Sequence, residues 1–349
     1  MLEEKPGETF SALVVDKVDI APGRAGDAPA GVRDKVTACL RQLTLDDLPR
    51  GELLIRNSFS SLNYKDALAA QGNRAVVRHF PHVPGIDFVG HVEQDSSGTF
   101  EQGATVLVTG HDLGVKQWGG FAQYTRVPVS WAQRLPSPLT EKQAMIFGTA
   151  GFTAALSVQA LLDQQVRPNQ GEVLVTGASG GVGSLAVRLL ALEGFQVVAA
   201  TGKANAHTML TQGGATRIIS RDDLAGQQGK PLLSAQWAGA IDTVGGSTLG
   251  SLLRSIIPGG SVAACGNAGG FELNTTVYPF ILRGIKLLGI DSVWQSMTVR
   301  NALWAKMSGP WLPGDLESLA TEIDLAEVPA YAQNMLAGQS QGRTVVCVG

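Results

Sequence analysis

The chain has 349 residues, of which 44% are hydrophobic and 16% charged, with 43 glycines, 16 prolines and three cysteines. That is ample apolar material for cores but more than one compact unit usually takes, so two domains are expected. A formal net charge of −3 leaves no basic surface for non-specific capture of nucleic acid or anionic lipid, so an anionic ligand must be caught locally.

The first ten residues are acidic and lack the basic start and apolar core of a secretory signal, and no uninterrupted apolar stretch is read as membrane-spanning. Short alternating segments at residues 12–18, 53–58, 88–93, 105–109 and 121–127, punctuated by glycine and proline, predict an all-β unit. Residues 21–36, small, charged and turn-forming, predict an exposed loop or hairpin insertion within it. From Thr140 the texture changes to helical spacing over residues 141–162, where Gly148 and Gly151 are expected to break the helix in two.

Near-continuous apolar runs then follow at residues 173–176, 196–200, 217–219, 240–244, 261–264 and 287–291, as in strands of a parallel sheet buried on both faces. Helical patterns at 182–193, 204–212 and 248–256 lie between them. The tail at 342–348 reads as a strand of the first kind. The expected class is therefore α/β: a Rossmann doubly wound parallel sheet over residues 146–321, inserted into a β-rich unit made of 1–145 and 322–349.

The strongest local signal is the run from Val173 to Ser184, a β-branched strand entering a glycine cluster and then a helix. Gly177, Gly180, Gly181 and Gly183 permit a tight turn and let the N–H groups around Ser179, Val182 and Ser184 approach a pyrophosphate at the helix N-terminus. Ser179 stands where the usual fingerprint has its second glycine. After the next strand come Thr201 and Lys203, with no acid for a ribose diol. A hydroxyl and an ammonium, with Arg221 as a second cation, suit a 2′-phosphate, so NADPH is the expected cofactor. Cys39, Cys265 and Cys347 are widely separated and form no metal or disulfide pattern, which fits a reducing cytoplasm.

With these motifs in place the chain resembles the quinone-oxidoreductase-like branch of the medium-chain dehydrogenases/reductases, and within it the NADPH-dependent acryloyl-CoA reductases. The resemblance is carried by Ser-Ser-Leu-Asn-Tyr-Lys-Asp-Ala at 60–67, Pro-Gly-Ile-Asp at 84–87, Gly-Gly-Phe-Ala at 119–122, Gly-Thr-Ala-Gly-Phe-Thr-Ala at 148–154, the glycine loop and Gln-Gly-Arg-Thr at 341–344. It implies a split GroES-like catalytic domain around the Rossmann domain, NADPH bound between them, and a homodimer through the edge of the Rossmann sheet. It also puts nicotinamide-side contacts at or near Asn267, Ile281 and Ser292. The zinc-dependent members need clustered cysteine, histidine and carboxylate ligands, which this sequence lacks, so no metal is expected.

Without a Lewis acid for a developing alkoxide, conjugate reduction of an activated alkene is easier to accommodate than carbonyl reduction. The expected reaction is hydride transfer to the β-carbon of acryloyl-CoA, then protonation of the enolate to give propionyl-CoA. Tyr64, starting a short helix after the strand that ends near Leu62, is the candidate phenol beside ribose or substrate. Asn63, Asp66 and Asp87 lie in the two family motifs, and the two carboxylates, partly buried and facing Arg343, are expected to fix Tyr64, either as catalytic groups or as architecture. Asp66 is alternatively a cap of that helix. Asp242 is read as a structural turn acid and Trp118 as a packed tryptophan or part of the substrate mouth. Lys65, Lys116, Arg126 and Arg283 are possible cations for the CoA phosphates. Two alternatives stand beside this reading: a quinone or enone reductase on the same scaffold, and an NADPH-binding protein without catalysis.

Overall fold

The computed structural model describes residues 9–18, 35–225 and 230–349. All but the last two residues of the expected insertion at 21–36 lie outside these. In chain order the first elements are β1 (Thr9–Lys17), β2 (Val36–Thr44), β3 (Leu53–Leu62), α1 (Tyr64–Ala70), β4 (Asp87–Asp95), β5 (Thr105–Thr109), β6 (Tyr124–Val127), β7 (Gln133–Arg134) and α2 (Glu141–Asp163). There follow β8 (Val173–Val175), α3 (Gly181–Leu192), β9 (Val197–Thr201), α4 (His207–Gln212), β10 (Ala215–Ser220), α5 (Asp222–Ala225), β11 (Trp237–Asp242) and α6 (Gly246–Leu253). The remainder is β12 (Ile256–Ala264), α7 (Tyr278–Arg283), β13 (Lys286–Gly289), α8 (Met297–Met307), β14 (Ala320–Asp324), α9 (Val328–Leu336) and β15 (Arg343–Cys347).

Two units result, one of Met1–Thr149 with Ala320–Gly349 and the other of Ala150–Leu319. The sequence reading places the changes at 145/146 and 321/322, and pairing explains the difference. β14 begins at Ala320 and runs parallel to β15, so a boundary at 322 would cut a strand of the first unit. Residues 146–149 stay with the first unit because the Ile146 carbonyl and the Thr149 N–H bond to side chains there.

In the first unit β14, β15, β3, β4, β5 and β7 hydrogen-bond in that order, β6 joins β3, and β1 with β2 forms a separate ribbon. Side chains on β3 alternate between two cores, as the two-residue repeat of a strand requires. Leu53 and Ile55 join Phe88, Val106 and Val108, whereas Leu54 and Leu62 join Leu13, Phe121 and Val346.

The second unit is a six-stranded parallel sheet in the order β10-β9-β8-β11-β12-β13, which is doubly wound with its switch point between β8 and β11. β8, β9 and β11 are buried along their whole lengths, which accounts for their continuous apolar runs.

α2 has an 18-residue window of mean hydropathy 1.6, enough by length and composition to cross a membrane, and 72% of that window is buried in the protein. It breaks only at Gly148 (φ 48°, ψ −153°), while Gly151 continues the helix.

Candidate active site

In the first unit five polar side chains from separate elements meet out of solvent. Ser61 comes from the end of β3, Asn63 precedes α1, Asp66 lies in its first turn, Asp87 opens β4 and Arg343 opens β15. Ser61, Asp66 and Asp87 are fully buried, with Asn63 and Arg343 nearly so. Asp87 accepts from Ser61 Oγ at 2.6 Å, from Asn63 Nδ2 at 3.1 and 3.2 Å, and from the Thr149 N–H at 2.6 Å. Asp66 accepts from the N–H groups of Asn63 (2.9 Å), Gly85 (3.0 Å) and Ile86 (2.9 Å).

Arg343 donates to Ser61 Oγ at 2.8 Å, Asn63 Oδ1 at 3.2 Å and the Ile146 carbonyl at 2.8 Å. It thus reaches Asp87 through a hydroxyl and an amide, whereas the sequence reading has it facing partly buried carboxylates. Burial pushes the Asp66 carboxyl up to about 7, helped by the charge of Asp87 and opposed by the three N–H donors. Burial also lowers Arg343, against the charges of Asp87 and Asp66.

The helix cap expected of Asp66 belongs to Asn63; Asp66 is the reciprocal acceptor three residues on, for the Asn63 N–H. Tyr64 opens α1 between them with its side chain 45% exposed. What the cluster fixes is the backbone that carries the phenol, since residues 63 and 66 are pinned on either side of it. Ser61 and Thr149 are members that sequence reasoning did not single out, and it marked Gly148 only as a helix break. All three sit inside the quoted family segments, and Ser61 also falls on an inward-facing position of β3.

In the second unit β8 runs into residues 176–180 and then α3, with Gly180 as a cap that has no side chain. The first N–H groups of a helix have no acceptor within it, so those of Gly181, Val182 and Gly183 are free for an anion. Gly183 must be glycine, because a Cβ there would lie 2.3 Å from the Gly177 carbonyl oxygen. Ser179 is turned inward and accepts from Thr201 Oγ1 at 3.0 Å, and Thr201 accepts from the Lys203 N–H at 3.1 Å. Ser184 is buried in the first turn of α3.

Arg221 folds back over Gly202, its Nε 2.9 Å from where a Cβ on that glycine would stand. Burial, and then the charge of Arg221, lowers the Lys203 ammonium below its ordinary value. Two cations side by side next to a hydroxyl, past a cradle of helix N–H groups, fit a pyrophosphate with a 2′-phosphate on its adenosine side.

Asn267 lies in a hollow over the ends of β12 and β13, lined also by Ala264, Cys265, Gly266, Gly289, Ile290 and Asp291. Ser292 directly follows this lining and is half-buried, whereas Ile281 is 67% exposed on α7. Asp242 accepts from Thr176 Oγ1 at 2.6 Å and the Gly245 N–H at 2.8 Å, tying the ends of β8 and β11 together as the turn acid expected of it. Trp118 packs against the first unit's core. Of the possible CoA cations, Arg283 is an internal brace to the carbonyls of Arg254, Ile256 and Leu233, and Lys116 pairs with Asp112 at 3.1 Å.

Comparison with known proteins places this geometry. Residues 49–137 match the alcohol dehydrogenase GroES-like domain and residues 181–307 the zinc-binding dehydrogenase family. Among the described residues no group of three or more His, Cys, Asp or Glu could hold a metal ion, and the buried carboxylates Asp66, Asp87 and Asp242 are already bonded by N–H or O–H donors, so the residues present do not fit the zinc of that family name.

The chain is 44% identical over 339 residues to acrylyl-CoA reductase AcuI of Ruegeria pomeroyi, covering 97% of this chain and 99% of that one. It is 45% identical over 314 residues to a Bacillus subtilis protein provisionally named quinone oxidoreductase YhfP, covering 90% of this chain and 95% of that one. The crystal structure of YhfP, with NAD bound, matches with TM-score 0.91 over 98% of this chain and all of that one, at 42% identity. Escherichia coli K-12 YhdH, crystallised with NADPH, matches with TM-score 0.89 at 44% identity, covering 97% of this chain and 100% of that one. The chain belongs to the medium-chain dehydrogenase/reductase family, as an oxidoreductase with a GroES-like domain and a Rossmann domain.

Proposed function

We propose that this protein reduces the C=C bond of acryloyl-CoA to give propionyl-CoA, with NADPH as reductant. One observation carries the reading: 44% identity over 97% of the chain to an acrylyl-CoA reductase, in a chain that has both the N–H cradle with its cation pair and the buried network around Tyr64. The bound cofactor supplies a hydride to the β-carbon of the unsaturated thioester.

Everything else falls to the chain's own side chains and backbone. The N–H groups of Gly181, Val182 and Gly183 hold the pyrophosphate, and Lys203 and Arg221 hold the 2′-phosphate by charge-assisted hydrogen bonds. Asp66, Asp87, Asn63, Ser61 and Arg343 stiffen the start of α1, so that the backbone carrying the Tyr64 phenol keeps one position. Tyr64 donates a hydrogen bond from its O–H to the thioester oxygen as negative charge develops there, and the α-carbon of the enolate then takes its proton from solvent water. The experiment is to incubate purified protein with NADPH and acryloyl-CoA and identify the product: one propionyl-CoA for each NADPH consumed supports the reading, and unchanged acryloyl-CoA refutes it.

The protein acts as a homodimer in the cytoplasm, without nucleic acid or membrane as partners. Val277, Tyr278, Ile281 and Leu282 are exposed on and just before α7, next to the edge strand β13, where a second copy can cover them. The three cysteines are free thiols, in keeping with a reducing compartment. A second reading, quinone or enone reduction at the same site, is favoured by the likeness to YhfP.

A further inference from the structure

β13 ends at Gly289, and the chain must cross the C-terminal edge of the sheet before α8 starts at Met297. It does so without regular structure, so the polar backbone groups of this stretch need individual partners. Asp291 serves from one side: its Oδ1 accepts from the N–H groups of Val293 (2.8 Å) and Trp294 (3.4 Å), and its carbonyl accepts from Gln295 Nε2 at 2.6 Å.

Arg300 serves from the other. From the first turn of α8 its guanidinium turns back and donates to the carbonyls of Ser292 (3.1 Å), Val293 (2.8 Å) and Gln295 (3.2 Å), with the Phe152 ring centroid 5.0 Å away. The residue is 1% exposed. A buried cation is costly, and one in the first turn of a helix also opposes the helix dipole. Burial accordingly lowers Arg300 to about 10. A planar fork of donors aimed at three converging carbonyls offsets both costs in a way that a lysine ammonium does not reproduce.

We infer that Arg300 is a positioning residue for the nicotinamide side of the site: it sets the path of residues 291–296 beside the hollow over β12 and β13 without itself touching cofactor or substrate. The inference rests on the proposed function and on the nicotinamide-side contacts that the family resemblance puts at or near Asn267 and Ser292, beside those strand ends. Arg300 reaches the site through the loop, so its loss spares the adenosine half of the cofactor site.

The test uses the intact protein with Arg300→Lys and Arg300→Gln, and three readouts: hydrogen exchange of the peptide spanning 290–296, affinity for 2′,5′-ADP, and the single-turnover rate of NADPH oxidation by acryloyl-CoA. Faster exchange confined to that peptide, 2′,5′-ADP affinity within about twofold of wild type and oxidation slowed roughly ten- to hundredfold would support the inference. Faster exchange with an unchanged oxidation rate overturns it, as does loss of 2′,5′-ADP affinity in step with exchange across the whole sheet, which would make Arg300 merely structural. Should the Arg300 variants not fold, Gln295→Ala removes the donor to the Asp291 carbonyl, loosens the same loop from its exposed side and is read the same way. If wild-type protein fails to oxidise NADPH with acryloyl-CoA as acceptor, the functional reading is refuted, while exchange of 290–296 still reports whether Arg300 holds the loop.

Discussion

The N–H of Thr149 donates to Oδ2 of Asp87 at 2.6 Å, and this bond exists only because residue 148 has no side chain. A Cβ on Gly148 would stand 2.6 Å from that same oxygen and 2.7 Å from Ser61 Oγ, on a backbone with φ +48°. The break in α2 and the burial of Asp87 are thus one feature: the helix opens where its backbone must reach a carboxylate.

Gly148→Ala therefore strains the backbone and pushes a methyl group into the network. It should lower stability by about 3 kcal/mol, from left-handed strain of ~1–2 and overpacking of ~1–3 kcal/mol. Urea unfolding, compared with Ala150→Gly as a control on the same helix, checks this.

Asp66 ties stability to pH. Its carboxyl is raised from 3.8 to about 7 in the folded protein, so the folded state holds a proton that the unfolded chain has released. The associated stability is complete below the unfolded value and is lost as pH rises through the folded one. Asp66→Asn cannot titrate, so the stability of wild type relative to this variant should fall between about pH 4 and 7 and then level off, as measured by unfolding at several pH values.

On the proposed function, Lys203→Ala and Arg221→Ala should each remove a charge-assisted bond to a 2′-phosphate, worth about 1.5–3 kcal/mol. Each should raise KM for NADPH roughly tenfold or more and leave NADH nearly unaffected, so the ratio of kcat/KM for the two nucleotides is the measurement.

Tyr64→Phe deletes one oxygen from an exposed side chain, so folding should be unchanged. Turnover should fall about 10²-fold with little change in KM for NADPH, as expected when a group acting in the transition state is lost. Steady-state kinetics with each substrate varied separates the two effects.

The parts legible in the sequence are those with local causes. The parallel strands announce themselves because burial on both faces demands unbroken apolar runs, and the turn into α3 does so because a tight turn against a helix demands glycines. β2 escapes notice because its residues are mostly exposed or half-buried, in a ribbon paired only with β1. Ser61 and Arg343 meet although 282 positions separate them, and nothing in a single sequence reports such a contact. Arg300 looks like any surface arginine on a helix until the loop carbonyls converge on it. How the carboxylates act on Tyr64 is hidden for a similar reason: the sequence leaves catalysis and architecture open, and the structure has them hold the backbone beside Tyr64 with the phenol exposed.

The most direct test of the central claim is NADPH oxidation by purified protein with acryloyl-CoA, a quinone and a free enone as separate acceptors under one set of conditions. The account predicts that kcat/KM for acryloyl-CoA exceeds that for either rival by about a hundredfold, as expected if binding of the CoA moiety contributes to the transition state. Efficient turnover of the quinone or enone with acryloyl-CoA inert would contradict it.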